Sequence, residues 1–296
     1  MFGEIRINAY VQTYSALHQA ERLKTELEKL GVDVRVRRNA PVPVSADGKI
    51  DYDEKTDFIL YLDKDKAISR ALEKAGVRLF NSAQSVELCD DKMLTYLALS
   101  GQGIRMPRTV MAPLCYTAEA EPSAEFVKTV EALGYPLVAK ECYGSLGKGV
   151  YLVHDRAQLL QTEKNLRFCA HLYQEYIAES SGRDMRIIVI GGKTVGAMIR
   201  RSDSDFRSNI GAGGKGTAVV APLAFADMAE RAAKILGLDY CGVDVLFAKD
   251  GPVLCEVNSN AFFESMERVS GVNVAELYAK HIVKTLRRDA EEKHEN

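Results

Sequence analysis

Apolar positions change their period several times along the chain, and each change marks an element. Leu17, Ala20, Leu23, Leu27 and Leu30 fall on one helical stripe over residues 15–30, closed by Gly31. Val32, Val34 and Val36 then alternate with charges, the pattern of a half-buried strand. Residues 57–62 form a short apolar run that predicts another strand, 66–75 a helix stopped by Gly76, and 77–80 one more strand. Strands alternating with helices imply a parallel α/β unit over residues 1–89.

A second unit, 90–173, opens with a helix over about 90–100 that carries Lys92. The proline-bearing stretch 104–113 reads as a linker, followed by an amphipathic helix at 124–133, a glycine-rich hairpin and a helix near 156–160. The third unit, 174–296, holds hairpins at 184–196 and 240–258 and closes with helices at 226–236 and 274–288. The expected fold is therefore α/β: a parallel N-terminal domain, a small lid domain and a mainly antiparallel C-terminal domain.

Composition narrows the function more than the fold. A 47% hydrophobic chain of 296 residues suits soluble globular cores, and a net charge of −2 gives no reason to expect nucleic acid or an anionic membrane as partner. No apolar run approaches the ~20 residues of a membrane span. The start, Met1-Phe2-Gly3-Glu4-Ile5-Arg6, lacks the layout of a secretory signal, so a cytoplasmic location is expected. Six scattered cysteines without a C-x-x-C pair read as reduced, mostly buried thiols; Cys142, in the glycine loop, is the candidate for access.

The stretch VAKECYGSLGKGVYLV, residues 138–153, has the glycines of a phosphate loop but not the order of a Walker or dinucleotide motif. Gly144, Ser145, Gly147 and Gly149 lie between two strand-forming runs, where a glycine hairpin can fold over a nucleotide and present backbone N–H donors. An ordinary hairpin is the alternative. Lys140 ends an apolar run, where an unpaired charge needs a reason and a phosphate supplies one. Downstream, Glu175, Tyr176 and Ile177 fit a hinge reading an adenine edge, with Asp184 on the ribose side. Taken singly, Glu175 reads better as a solvated charge, and Asp184 as a cap or salt-bridge partner.

The strongest local signal is GVDVLFAKDGPVLCEVNSN. A three-residue loop, Lys249-Asp250-Gly251, would set Asp244 opposite Glu256, with Asn258 on the same face. Two carboxylates and an amide oxygen so placed suit one or two hard cations, Mg2+ or Mn2+. Between the motifs, Arg200, Arg201 and Arg207 flank a glycine tract with Ser208 and Asn209, a basic set suited to phosphoryl charge.

In this order, with DFRSNIGAGGKG and the Asp244–Asn258 hairpin as the most characteristic stretches, the sequence resembles the ATP-grasp superfamily and its RimK-type carboxylate–amine ligases. The resemblance implies an ADP-forming ligase that makes an amide or peptide bond through an acylphosphate. It implies that Lys92 and Lys140 contact ATP phosphates beneath a lid of residues 144–149, and that Glu175 and Ile177 hold adenine through backbone atoms. Arg207, Ser208 and Asn209 would contact nucleotide, while Asp244, Glu256 and Asn258 would hold Mg2+. Arg200 or Arg201 would steady the acylphosphate. An amino acid or peptide is the implied substrate, with a carrier or target protein and a homo-oligomer as further expectations. A small-molecule kinase and an ATP-binding regulatory protein are the competing readings.

Overall fold

The computed structural model describes residues 1–39, 50, 52–144, 147–208 and 215–295. These build three sheets. The first contains β1 (Phe2–Ile7), β2 (Asp33–Arg38), β3 (Phe58–Leu62) and β4 (Arg78–Phe80), parallel in the order β2-β1-β3-β4. Helix α1 (Tyr14–Lys29) lays Ala20, Leu23 and Leu27 on Ile5, Val34, Phe58 and Leu60. Helix α2 (Lys66–Lys74) contributes Leu72 to the opposite face, against Ile59, Tyr61 and Leu79.

Strand β1 lies inside this sheet, yet no hydrophobic pattern announced it. Ile5 and Ile7 face the α1 side, while Glu4 and Arg6 are buried, at 0% and 1% exposure. Glu4 accepts from Arg6 Nε at 2.6 Å, Arg35 Nη2 at 2.7 Å and Arg37 Nη1 at 3.1 Å. Burial works against the charge, but Arg35, Arg6 and Arg37 outweigh it and hold the carboxyl below its ordinary range. Charges that satisfy one another allow a polar-looking segment to occupy an internal strand.

Two helices follow, α3 (Ala83–Asp90) and α4 (Lys92–Leu99), in place of one expected helix over 90–100. Asp91 breaks the run: its backbone is extended (φ −103°, ψ 114°), and its side chain caps α4 by accepting from Met93 N–H at 2.8 Å. Residues 109–111 also depart from expectation. They form β5 (Thr109–Met111), which pairs with β8 (His171–Glu175) in an antiparallel sheet ordered β5-β8-β6-β7. The other members are β6 (Leu137–Glu141) and β7 (Val150–Val153), the two strands of the expected glycine hairpin. Helices α5 (Ala124–Glu131) and α6 (Arg156–Leu166) cover one face through Val127, Val130, Leu159 and Leu166.

The third sheet is antiparallel, in the order β11-β10-β9-β12-β13. Its strands are β9 (Arg183–Ile190), β10 (Lys193–Arg201), β11 (Lys215–Val219), β12 (Tyr240–Ala248) and β13 (Gly251–Asn258). One face carries Met185, Ile187, Val243 and Val245 under α7 (Leu223–Ile235). On the other, Ile188 and Met198 join Met266 of α8 (Glu264–Ser270) and Tyr278 of α9 (Val274–Glu295), in the same core as Ile5 and Leu23. The remainder of that second face is polar and faces a cleft. Among the described residues no helix is long and apolar enough to cross a membrane.

Asn81 joins the first unit to the third. Its Oδ1 accepts from Asp239 N–H at 2.7 Å and Tyr240 N–H at 3.0 Å, and its Nδ2 donates to the carbonyls of Tyr240 at 2.8 Å and Ser259 at 2.9 Å. Asn81→Ala strands these buried groups at about 1–3 kcal/mol apiece, so the expected loss in urea unfolding is at least about 3 kcal/mol. A loss below about 1 kcal/mol would contradict the assignment. Glu26, buried between α1 and α9, gives a pH signature. Desolvation raises its pKa, but Asn273, Lys29 and Arg22 outweigh that and bring it down to about 2. Its contribution is therefore present above the unfolded value near pH 4.5 and lost as pH falls toward 2. In acid titrations followed by circular dichroism, Glu26→Gln is expected to flatten that limb; an unchanged limb would refute it.

Candidate active site

The site begins with a register. In the β12–β13 ladder Asp244 pairs with Glu256 and Gly242 with Asn258, so both carboxylates and the amide project from one face. The pairing is as expected, but its cause is different. Ala248 pairs with Gly251, leaving a tight two-residue turn at Lys249-Asp250. The register then shifts beyond Asp244, with Cys255 as the extra residue of a bulge. That bulge restores the pairing a longer turn would have produced. Cys255 lines the cleft with its Sγ 3.6 Å from Lys140 Nζ.

Across β9 and β10 the same face is ionic. Arg186 is the cross-strand partner of Asp244, and Arg200 that of Asp184. Arg186 binds Asp244 through both Nε–Oδ1 and Nη2–Oδ2, the latter at 2.8 Å. Arg200 holds Asp184 through Nε at 2.7 Å and through Nη2, which also lies 3.0 Å from Asp244 Oδ2. Asp244 is 4% exposed; burial opposes its charge, but Arg186 and Arg200 prevail and its pKa is lowered. The choice between Arg200 and Arg201 is thus resolved in placement: Arg200 is buried against the cleft carboxylates, and Arg201 is exposed. Arg186 was missed in the sequence. Its signal was its position, two residues beyond Asp184 on the same strand face.

Lysines form the opposite wall. Lys140, on β6, is 8% exposed; desolvation works against its charge, but Cys255, Tyr96 and Glu256 outweigh it and its pKa is raised. Lys92 is the first residue of α4, where the helix dipole disfavours a cation. Its Nζ lies 3.3 Å from Glu256 Oε1 and donates to the Gly144 carbonyl at 3.3 Å, which offsets that cost. The glycine loop closes above. Gly144 (φ +151°), Gly147 (φ +76°) and Gly149 (φ +69°) all hold left-handed backbone, and the Gly147 carbonyl accepts from Arg207 Nη1 at 2.7 Å. Gly144 and Gly147 line the cleft, whereas Gly149 packs against Glu141. Ser145 and Asn209 lie outside the described residues.

The cleft's empty space, counted out through its open mouth into solvent, is about 870 Å³. Glu175, Tyr176, Ile177, Ser208, Val138 and Leu246 complete its walls. At the hinge the Glu175 N–H donates to the Arg108 carbonyl at 3.0 Å, so that N–H is not free to read an adenine edge, and its carboxylate pairs with Arg108 Nε at 2.7 Å. Asp184 lines the cleft while paired with Arg200, as the salt-bridge alternative has it. Ile177 N–H donates to nothing among the described residues and remains available.

Asp244, Glu256 and Asn258 offer three hard oxygen donors on one face, a set that fits a cation completing its shell with water and phosphate oxygens, as Mg2+ does. Among the described residues no group of three or more His, Cys, Asp or Glu side chains could hold a metal ion by itself. Cys142, expected to be accessible, is fully buried; its N–H and carbonyl bond Ala170 and Lys92.

Residues 89–282 match the family model of the RimK-like ATP-grasp domain. Over 227 residues, 76% of this chain, it is 35% identical to N-acetylaspartylglutamate synthase A of Homo sapiens, of which that region is 57%. It is 37% identical over 213 residues to a probable alpha-L-glutamate ligase of Maridesulfovibrio salexigens, covering 71% of this chain and 68% of that protein. A solved D-alanine–D-alanine ligase from Bacillus anthracis complexed with ATP superposes with a TM-score of 0.75 over 99% of both chains at 18% identity, a likeness of fold. The chain spans a little over half the length of the human relative. With three sheets in this arrangement and the family model matched across most of its length, the chain belongs to the RimK-like ATP-grasp family.

Proposed function

We propose that this chain joins a carboxylate to the amine of an amino acid, with ATP consumed to ADP and phosphate. The observation that carries this reading is the face shared by Asp244 and Glu256, opposed by buried Lys140 and Lys92 across a roofed cleft. Lys140 and Lys92 bind and neutralise phosphate charge, the carboxylates would hold the cation that assists them, and no activated protein nucleophile is needed. Residues 1–89, 90–173 and 174–296 act as three working units, with the nucleotide between the second and third.

In this account Val138 and Leu246 sandwich the base, Ile177 N–H reads its edge, and Tyr176, Ser208 and Arg207 bound the nucleotide. Lys92, Lys140 and the backbone of the glycine loop hold the phosphates. Asp244, Glu256 and Asn258 would hold Mg2+ or Mn2+, as one or two ions, which would supply positive charge against the phosphates. A carboxylate oxygen of the acyl substrate attacks the γ-phosphorus, and the bond to the β–γ bridging oxygen breaks to release ADP. The amine then attacks the acyl carbon of the acylphosphate, phosphate leaves with the carbon–oxygen bond's electrons, and the surplus amine proton passes to solvent. Arg200, anchored by Asp184, supplies fixed positive charge beside the developing oxyanion. The names of the two sequence relatives both point to glutamate as a joined amino acid, so L-glutamate is the amine of choice for assay.

Incubation with MgATP, L-glutamate and a pool of small carboxylates is expected to yield ADP, phosphate and a product one water lighter than its two parents. A phosphorylated carboxylate that accumulates unchanged in the presence of amine would contradict the ligase. The metal assignment is best tested at Glu256, because Asp244 also neutralises buried Arg200 and half-buried Arg186, and its removal endangers the fold. Glu256→Gln, which is half-buried, is expected to lower Mg2+-dependent ADP formation by on the order of a hundredfold with little change in Tm. Near-normal turnover in that variant would sink the assignment.

A further inference from the structure

Three unassigned features stand out: the buried Glu163–His171–Tyr173 cluster, the Asp63–Asn8–Asn39 cluster at the parallel sheet's carboxyl edge, and Arg186. The first is internally satisfied, since Glu163 Oε2 accepts from both Tyr173 and His171. In the second, Asp63 accepts from Asn8, Asn39 and Lys64 N–H, and within this cluster Asn39 Oδ1 is left without a partner among the described residues. Arg186 is different.

Its guanidinium makes a two-point bond to Asp244 and to no other anion among the described residues. Arg200 touches the same carboxylate but has a second anchor in Asp184. A cation taken up by Asp244 would compete for the same oxygens, and of the two arginines Arg186 alone has no second anion to hold it among the described residues. Space around Arg186 also bears on this. A Cβ at Gly242 would lie 2.5 Å from Ala261 Cβ, 3.1 Å from Arg186 Nη1 and 3.2 Å from its Cδ, so the glycine first makes room for Ala261 and also leaves the guanidinium its close fit. Gly242 pairs with Asn258, which places Arg186 beside the row that leads from Asp244 into the segment Ser259–Ala261.

We propose that Arg186 is a positioning residue whose charge is exchanged by the metal: it occupies Asp244 until a divalent cation arrives, then turns to an oxyanion of substrate or product. The inference rests on Asp244 being a metal ligand, as proposed above. It implies an order of binding, because the anion partner of Arg186 gains its site only after the cation has taken Asp244. A guanidinium fits this exchange through its planar fork, which serves a carboxylate and a phosphoryl group equally well. An ammonium in its place would keep the charge but lose the two-point geometry.

Two binding measurements on the intact protein test it, with ADP present and no turnover. Free Mn2+ is followed by electron paramagnetic resonance, and inorganic phosphate is titrated calorimetrically with and without Mg2+. Arg186→Met removes the competing cation, so Mn2+ is expected to bind about tenfold tighter than in wild type. Phosphate is expected to bind wild type only when Mg2+ is present, and to lose about tenfold in affinity in Arg186→Met despite the better-filled metal site. Arg186→Lys should recover part of the phosphate affinity, which a merely structural role would not produce. Equal Mn2+ affinity in wild type and Arg186→Met, phosphate binding to wild type without Mg2+, or undiminished phosphate binding in Arg186→Met each overturns the exchange. Absence of Mn2+ binding in every variant instead removes the metal site itself, and the exchange with it.

Discussion

Charge taken out of water is the constraint around which the cleft is organised. Asp184, Asp244, Lys140 and Arg200 are all less than a tenth exposed, and each would be unfavourable alone. They persist because β9, β10, β12 and β13 set opposite charges at cross-strand positions on one face, and because β6 brings Lys140 to the bulged Cys255. Such an arrangement contributes little net stability, since desolvation consumes most of the attraction. Its value lies in holding positive and negative groups ready for a highly charged ligand without reorganisation at the moment of reaction.

The rest of the architecture serves that face. The core that unites Ile5, Leu23 and Leu60 with Ile188, Met198 and Tyr278 fixes the parallel sheet against the third sheet, and Asn81 pins the junction. Asp91 ends α3 and begins α4, which puts Lys92 at the helix start within reach of Glu256 and the glycine loop. Helix capping thus determines where the Lys92 ammonium sits in the cleft. The loop adds backbone carbonyls and N–H groups near the mouth, tied to Arg207 through Gly147.

Periodicity revealed most of the elements because their apolar residues repeat with the period of the structure. Helices such as α1 and α5 and the hairpins β9–β10 and β12–β13 fall into this class. Strand β1 was hidden because Glu4 and Arg6 are neutralised by partners from β2, a long-range fact that no local window contains. The Asp244–Glu256 pairing was legible, yet it arises from a bulge at Cys255 that alternation alone does not show. At the hinge the sequence offers Glu175 and Asp184 both as ligand groups and as ordinary charges, and only the fold supplies Arg108 and Arg200 as their partners. Arg186 shows the converse: an unremarked strand residue became part of the site once its cross-strand neighbour was known.

The central claim is that a carboxylate oxygen attacks phosphorus and that the same oxygen leaves with phosphate when the amide forms. Labelling the acyl substrate's carboxylate with 18O and analysing the released phosphate by 31P NMR tests this directly. The account expects one 18O atom in each phosphate formed. Phosphate free of label, at a rate matching product formation, would contradict the acylphosphate route and with it the function proposed for this site.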